Sequence, residues 1–304
     1  MNRQTPLHTV ELHRPIEAGF VPFVSDPDRG LVIELIDADA TEVLEFLSVR
    51  PVHTVVMTSF ISDNGIESEL NRGKYYGYRN TAGELDGVAL VGHSTLVEAR
   101  TELAIRALAY QARTAETPIH LVMSSGTDAD AFWQHLTDGR TKPRLRCVES
   151  LFEAALPFAV RTADHRLKNA EMSHLIPVAE AQAEVAFIEC GVDPIIKDRD
   201  GFLKRVARRI EQNRVFVVTN GDELVFKVDI IAETDDTIYL EGVYVHPDHR
   251  GKGVGSEYLA LLTQHLLDRV DNICLLSNIE FKSAHRTFEK AGYRQTDDCV
   301  SLFV

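Results

Sequence analysis

The stretch Val243 to Gly255 reads VYVHPDHRGKGVG, with Gly251, Gly253 and Gly255 at alternate positions around Lys252 and Arg250 just ahead. Glycines between a strand end and a helix start let backbone N–H groups face an anion where the helix dipole adds partial positive charge. The spacing is not that of a Walker A loop, which needs GxxxxGK followed by Ser or Thr. Nor is it the dinucleotide-binding fingerprint. A third glycine would fall at position 256, which is Ser256, and the strand before the loop reads as part of an antiparallel meander. A plain glycine-rich turn has no use for Arg250 and Lys252, so the pattern reads as an anion cradle of another kind.

The elements around the loop must position it. Val215 to Ile231 reads as a hairpin turning at Asn220-Gly221, a pair that tolerates positive φ. Thr237 to Val245 is a third strand. Gly255 to Val270 is a helix with Tyr258, Leu259, Leu262, Leu266 and Val270 on one face. Ile273 to Ser277 is a strand, Ser283 to Ala291 a helix, and short strands follow from Tyr293. Ahead of the hairpin come an edge strand at Arg166 to Ala170, an apolar helix at Met172 to Cys190 stopped by Gly191, and an amphipathic helix at Asp200 to Gln212.

The first half has a similar order. A helix at Asp39 to Leu47 ends at Pro51, and His53 to Phe60 is helix or strand. Lys74 to Val91 is a hairpin turning at Asn80 to Gly83. A helix at Thr101 to Arg113, a strand at Ile119 to Met123, a helix at Asp128 to Leu136 and a strand from Leu145 follow. Residues 1–30, with four dispersed prolines, read as a lead-in arm. The expected organisation is two related domains, 1–158 and 159–304, of α/β (α+β) class.

Arg250-x-x-Gly253-x-Gly255 after the strand Glu241 to Val245 resembles the acetyl-CoA motif of the GNAT superfamily of N-acetyltransferases, and Ala284-His-Arg-Thr-Phe-Glu-Lys-Ala-Gly-Tyr293 extends the likeness. The resemblance covers roughly residues 165–304. It implies tandem GNAT-like domains, each a mixed, mostly antiparallel sheet flanked by helices. It also implies acetyl-CoA as co-substrate, its pyrophosphate held by Arg250, Gly251, Lys252, Gly253, Val254, Gly255 and Ser256. Pantetheine would run along Val243, Tyr244 and Val245, where this strand splays from the next. Asn278, at the end of that next strand, and His285, in the last helix, are further candidate contacts.

An amine attacking a thioester must first be neutral, and a nearby carboxylate can take its proton. Glu241 is the candidate base, because a charged side chain without a task is costly in a central strand. Backbone N–H groups of Val243 to Val245 are placed to polarise the thioester carbonyl. Many family members protonate the leaving thiolate with a Tyr; here that position is Phe288, and a frequent pantetheine Asn is Phe281. A thiolate of pKa ~8.5 needs little acid help, with Tyr244, Tyr239 or water to serve. A non-catalytic acyl-CoA-binding sensor is the rival reading. In the first half, Val91-Gly-His-Ser-Thr-Leu-Val-Glu98 stands at the place of the loop, and one glycine is too few for a cradle. That half reads as a GNAT-like domain without the CoA site.

The net charge of −14 disfavours nucleic acid and anionic membrane as partners. A small-molecule or peptide amine is the expected acceptor, and a homodimer stays open. Cys147, Cys190, Cys274 and Cys299 form no CxxC pair, which excludes a zinc knuckle and suits a reducing cytoplasm. His246 and His249 are spaced like ligands but flank Pro247 in a loop; no metal is expected.

Overall fold

The computed structural model describes residues 31–156 and 166–304. The arm expected at 1–30 and the expected domain junction at 158/159 lie outside these residues. In chain order the elements are β1 (Leu31–Glu34), α1 (Ala40–Ser48), α2 (Pro51–Asn64), β2 (Gly73–Arg79), β3 (Leu85–Gly92), β4 (Ser94–Ala99), α3 (Glu102–Ala112), β5 (Leu121–Ser125), α4 (Asp128–Thr137) and β6 (Leu145–Ala154). The second half adds β7 (Lys168–Asn169), α5 (Leu175–Cys190), α6 (Pro194–Glu211), β8 (Val215–Asn220), β9 (Glu223–Glu233), β10 (Thr237–Val245), α7 (Val254–Leu266), β11 (Asn272–Asn278), α8 (Lys282–Lys290) and β12 (Arg294–Phe303).

The strands join into one twelve-stranded sheet, ordered β1-β2-β3-β4-β5-β12-β6-β11-β10-β9-β8-β7. Read from either end, that order is the same with each strand replaced by its counterpart in the other half. Only β4–β5 and β10–β11 are parallel; every other pair is antiparallel. The halves exchange their last strands. β6, from the first half, runs between β11 and β12, and β12, from the second, runs between β5 and β6.

Several elements differ from expectation: the short strands after Tyr293 are the single strand β12, α6 begins at Pro194, and two further differences bear on the site. Pro51 does not merely end a helix. It opens α2 at the first helical position, where its missing N–H costs nothing, so His53 to Phe60 is helical. Val91 to Glu98 is not a loop: a tight turn at His93 sends the chain straight into β4, which pairs with β3. The true counterpart of the glycine loop is the two-residue turn Arg100-Thr101 between β4 and α3.

The apolar clusters explain how the halves are locked. α7 and α8 cover one face of β8–β11 through Leu259, Leu262, Leu266 and Phe288, together with Phe152 of the exchanged β6. α5 and α6 cover the other face through Val178, Ala179, Phe202, Val206 and Ile210. α2 also crosses onto that face. Its Val55 packs with Leu151, Ala232, Tyr239 and Cys274, Ser59 Oγ accepts from the Glu233 amide at 3.1 Å, and Asp63 pairs with Arg214 at 2.6 Å. No described helix is long and apolar enough to cross a membrane.

Candidate active site

β10 and β11 pair only from Thr237–Asn272 to Leu240–Leu275, after which no ladder joins them. The strands part there and leave a groove of about 440 Å³, open to solvent. Glu241 to Val245 line one wall, Leu275 to Ser277 the other, and the loop Arg250 to Ser256, without Lys252, one end. Phe281, Ala284, Thr287 and Phe288 of the α8 region close it below, and Glu184 and Glu189 of α5 stand at the rim.

The loop has the backbone features an anion site needs. Gly253 is the N-cap of α7 at φ +86°, and no side chain caps that helix, so its first N–H groups have no intrahelical acceptor. Gly251 stands at φ +75°, and a Cβ on either Gly251 or Gly253 would meet nothing within 4 Å. These two glycines are needed for backbone conformation, and the space above them is open to a ligand. Gly255 has another task. A Cβ there would lie 3.0 Å from Val245 Cγ2 and 3.2 Å from Thr287 Cγ2, so it lets α7 approach β10 and α8. Arg250 donates from Nε to the Val245 carbonyl at 2.8 Å and pairs with Glu184 at 2.8 Å across the groove mouth. Lys252 bonds the Asp248 carbonyl at 2.7 Å.

The first half shows why its own parting of strands holds no such groove. β4 and β5 pair from Ser94–Leu121 to Leu96–Met123, but Ser124 Oγ donates to the Val97 carbonyl at 2.8 Å and stitches them beyond that point. Arg50 of α2 then bonds both Glu98 and Ser125. Thr101 caps α3 by accepting from the Ala104 amide at 3.2 Å. With the strands stitched and the helix capped at Ala104, a cavity of only about 40 Å³ remains there, beneath α2 and beside Val97 and Ser124.

Glu241 sits where β10 leaves β11. Burial raises its carboxyl above the ordinary carboxylate range, against the lowering pull of Arg209 and Lys227. Among the described residues it makes no side-chain hydrogen bond. Glu189 and Glu149 are raised as well, each first by loss of hydration and partly by the Glu241 charge. Glu149 comes from the exchanged β6, where it bonds Ser301 Oγ. The Tyr244 ring is buried among the side chains of α5 and α6, and burial raises its phenol.

Two candidates fall elsewhere. Asn278 uses Oδ1 to accept from the Glu280 amide at 2.9 Å, and His285 is buried, its Nε2 3.0 Å from the Asn278 carbonyl and its ring edge-on to Phe152. Neither lines the groove. Sequence reasoning missed Glu184, Glu189 and Glu149; each lies on an element whose approach to the groove only tertiary packing reveals. Glu223, His246 and His249 bring ligating atoms within 4.8 Å of one another at the entry to the loop, as a metal site would.

Residues 211–295 match the family model described as the acetyltransferase (GNAT) domain. The second half carries a GNAT acetyltransferase domain. No curated protein matches the chain. Among solved structures, a Drosophila protein superposes with TM-score 0.65 at 12% identity, over 90% of this chain and 99% of that one. A tandem GNAT protein from the clavulanic acid biosynthesis pathway gives 0.57 at 11%, over 90% and 98%. A GCN5-related N-acetyltransferase from Sphaerobacter thermophilus gives 0.54 at 13%, over 90% and 95%. Such identities speak to fold, and the fold they speak to is the tandem GNAT arrangement running through both halves.

Proposed function

We propose that the GNAT domain is an acetyl-CoA-dependent N-acetyltransferase that passes the acyl group directly to a primary amine of a small molecule or peptide. The observation that carries this reading is one groove with an uncapped, glycine-built helix N-terminus at one end and an unbonded carboxylate, Glu241, along its wall. The distance between the loop and the parting of β10 from β11 spans the strand Glu241 to Val245, a run along which a pantetheine arm can add as an extra strand.

Acetyl-CoA would supply the acyl group activated as a thioester. The chain's residues do the rest. The amides at the start of α7 hold diphosphate oxygens, with Arg250 exchanging its bond to Glu184 for the anion. Backbone N–H groups along Val243 to Val245 that face the parted side of β10 would offer hydrogen bonds to an oxygen that gains charge. Glu241 accepts the proton of the attacking amine, directly or through water, and its raised pKa brings it closer to the working pH. Phe281 and Phe288 carry no donor, so the departing thiolate takes its proton from solvent or, through water, the one Glu241 accepted from the amine.

Thermal unfolding with and without acetyl-CoA tests the cradle. Ligand at about a hundred times its Kd adds ~2.7 kcal/mol of stability, and Gly253→Asp should erase that shift. No shift at millimolar ligand sinks the reading. Thiol release on adding a panel of amines then separates an enzyme from a sensor, which would bind acyl-CoA but release no thiol with any amine.

A further inference from the structure

Lys227 of β9 has none of its side chain exposed. A buried ammonium is costly unless paired, and this one has three partners. It lies 3.0 Å from Asp229 Oδ1, donates to the Gly242 carbonyl at 3.3 Å and bonds Gln182 Oε1 of α5. Asp229, 1% exposed, is paired in turn with Arg209 of α6 at 3.1 Å. Because Lys227 anchors no surface ion pair, its place must be explained by what it touches.

What it touches is a β-bulge. Glu241 pairs with Asp229 and Tyr244 with Lys227, so Gly242 and Val243 together oppose the single residue Val228. Gly242 stands at φ +63°, the left-handed conformation that such bulges require. A Cβ there would meet Lys227 Nζ at 2.6 Å, so the ammonium is packed directly beneath the bulged backbone. The bulge begins two residues after the last β10–β11 pair, Leu240–Leu275. A bulge bends its strand and sharpens the twist; here it turns β10 away from β11 and opens the slot.

We propose that Lys227 is a positioning residue for acyl transfer: its ammonium ties the Gly242 carbonyl to Gln182 and Asp229, holds the bulge, and so aims the Glu241 carboxyl and the N–H groups beyond it into the slot. This rests on the transferase reading above. Lys227 lies too deep under the backbone to meet either substrate, so it acts through Glu241 and β10. Glu241 faces Lys227 and Asp229 of β9, Arg209 of α6, Glu189 of α5, Glu149 of β6 and Tyr239 of its own strand. Lys227 is one of the two cations among them, and removing it raises the Glu241 pKa further.

The test is Lys227→Met, which keeps the stem and removes the charge. We expect kcat to fall about tenfold to a hundredfold, the cost of a misplaced catalytic group. The KM for acetyl-CoA should stay within about twofold, since the anion loop is untouched, and the acid limb of the pH–rate profile should move to higher pH. Amide hydrogen exchange at Gly242 to Val245 should quicken in the variant while α7 keeps its protection, a readout that needs no turnover. A variant that unfolds more easily yet keeps wild-type kcat, pH profile and exchange at the bulge overturns the proposal. Should Lys227→Met fail to fold, Lys227→Met/Asp229→Asn removes both buried charges and leaves only the partly exposed Arg209 without its partner, and unchanged kcat there overturns the proposal equally. If the unaltered protein neither binds acetyl-CoA nor releases thiol, the transferase reading fails first; exchange at the bulge then still reports whether Lys227 holds it.

Discussion

At the scale of single residues the proposed chemistry turns on Glu241. Under that proposal its carboxylate takes the amine's proton, and its raised pKa sets the pH at which it works. A base must be deprotonated to act, so kcat/KM should decline as pH falls through that raised value, which lies above the ordinary 4.5. Glu241→Gln should reduce turnover by about 10²–10⁴-fold while leaving the acetyl-CoA-induced thermal shift intact. Undiminished turnover in that variant would remove Glu241 from the mechanism. Glu241 was legible because a lone acid in the run LEGVYV needs a reason. Lys227, in ELVFKVDII, carried the same signal, yet alternation allows a charged residue to face water. Only the helices packed over that face bury it. His285 was a candidate contact, or an exposed face, from its place in the last helix; its ring is buried and lies edge-on to Phe152.

At the scale of elements the three loop glycines look alike in sequence and differ in task. Gly251 and Gly253 supply positive φ under open space, and Gly255 supplies clearance between α7, β10 and α8. Gly255→Val should therefore cost stability by overpacking, about 1–3 kcal/mol, read as a lower denaturant midpoint with unchanged slope. Most element boundaries were legible because hydrophobic period and turn residues agree along them, as at Asn220-Gly221 and across Thr237 to Val245. The first-half loop was misplaced for a physical reason. Gly92-His93 makes a turn so short that the meander continues into β4, and nothing local distinguishes a one-residue reversal from the start of a longer loop. The stitch from Ser124 to Val97 and the Thr101 cap were equally invisible, since hydroxyl partners are set by tertiary position.

At the scale of the whole molecule the halves are joined by exchange. Strand patterns say that residues 145–154 and 294–303 are strands; they do not say which neighbours those strands take. Expressed alone, either half would lack a central strand and bare a long, unpaired edge of the kind that aggregates. We expect the separate halves, 1–158 and 159–304, to be insoluble or unfolded. Co-expression should rescue both, and the whole chain should melt in one calorimetric transition. Acid should loosen the same assembly. His93 is half-buried beside His120, and its pKa is pushed down to about 4, chiefly by burial and then by Arg72, His120 and Lys197 of the second half. The folded state resists its protonation, so stability that is intact above the ordinary 6.5 drains as pH falls toward about 4. Melting temperatures of His93→Gln should decline less than those of the parent between those two values; parallel curves would absolve His93.

The exchange also constrains how the protein can be made. Synthesis runs from the first half to the last, and domains generally fold as they emerge. Here the gap between β5 and β6 is filled by β12, which leaves the ribosome after every other strand described. Until then the first half holds an open seam that the edge of a second nascent chain can enter. The ten-residue β12 therefore acts as the closing stitch of this sheet, and premature termination before Arg294 would leave a molecule whose groove is nearly complete and whose frame is not.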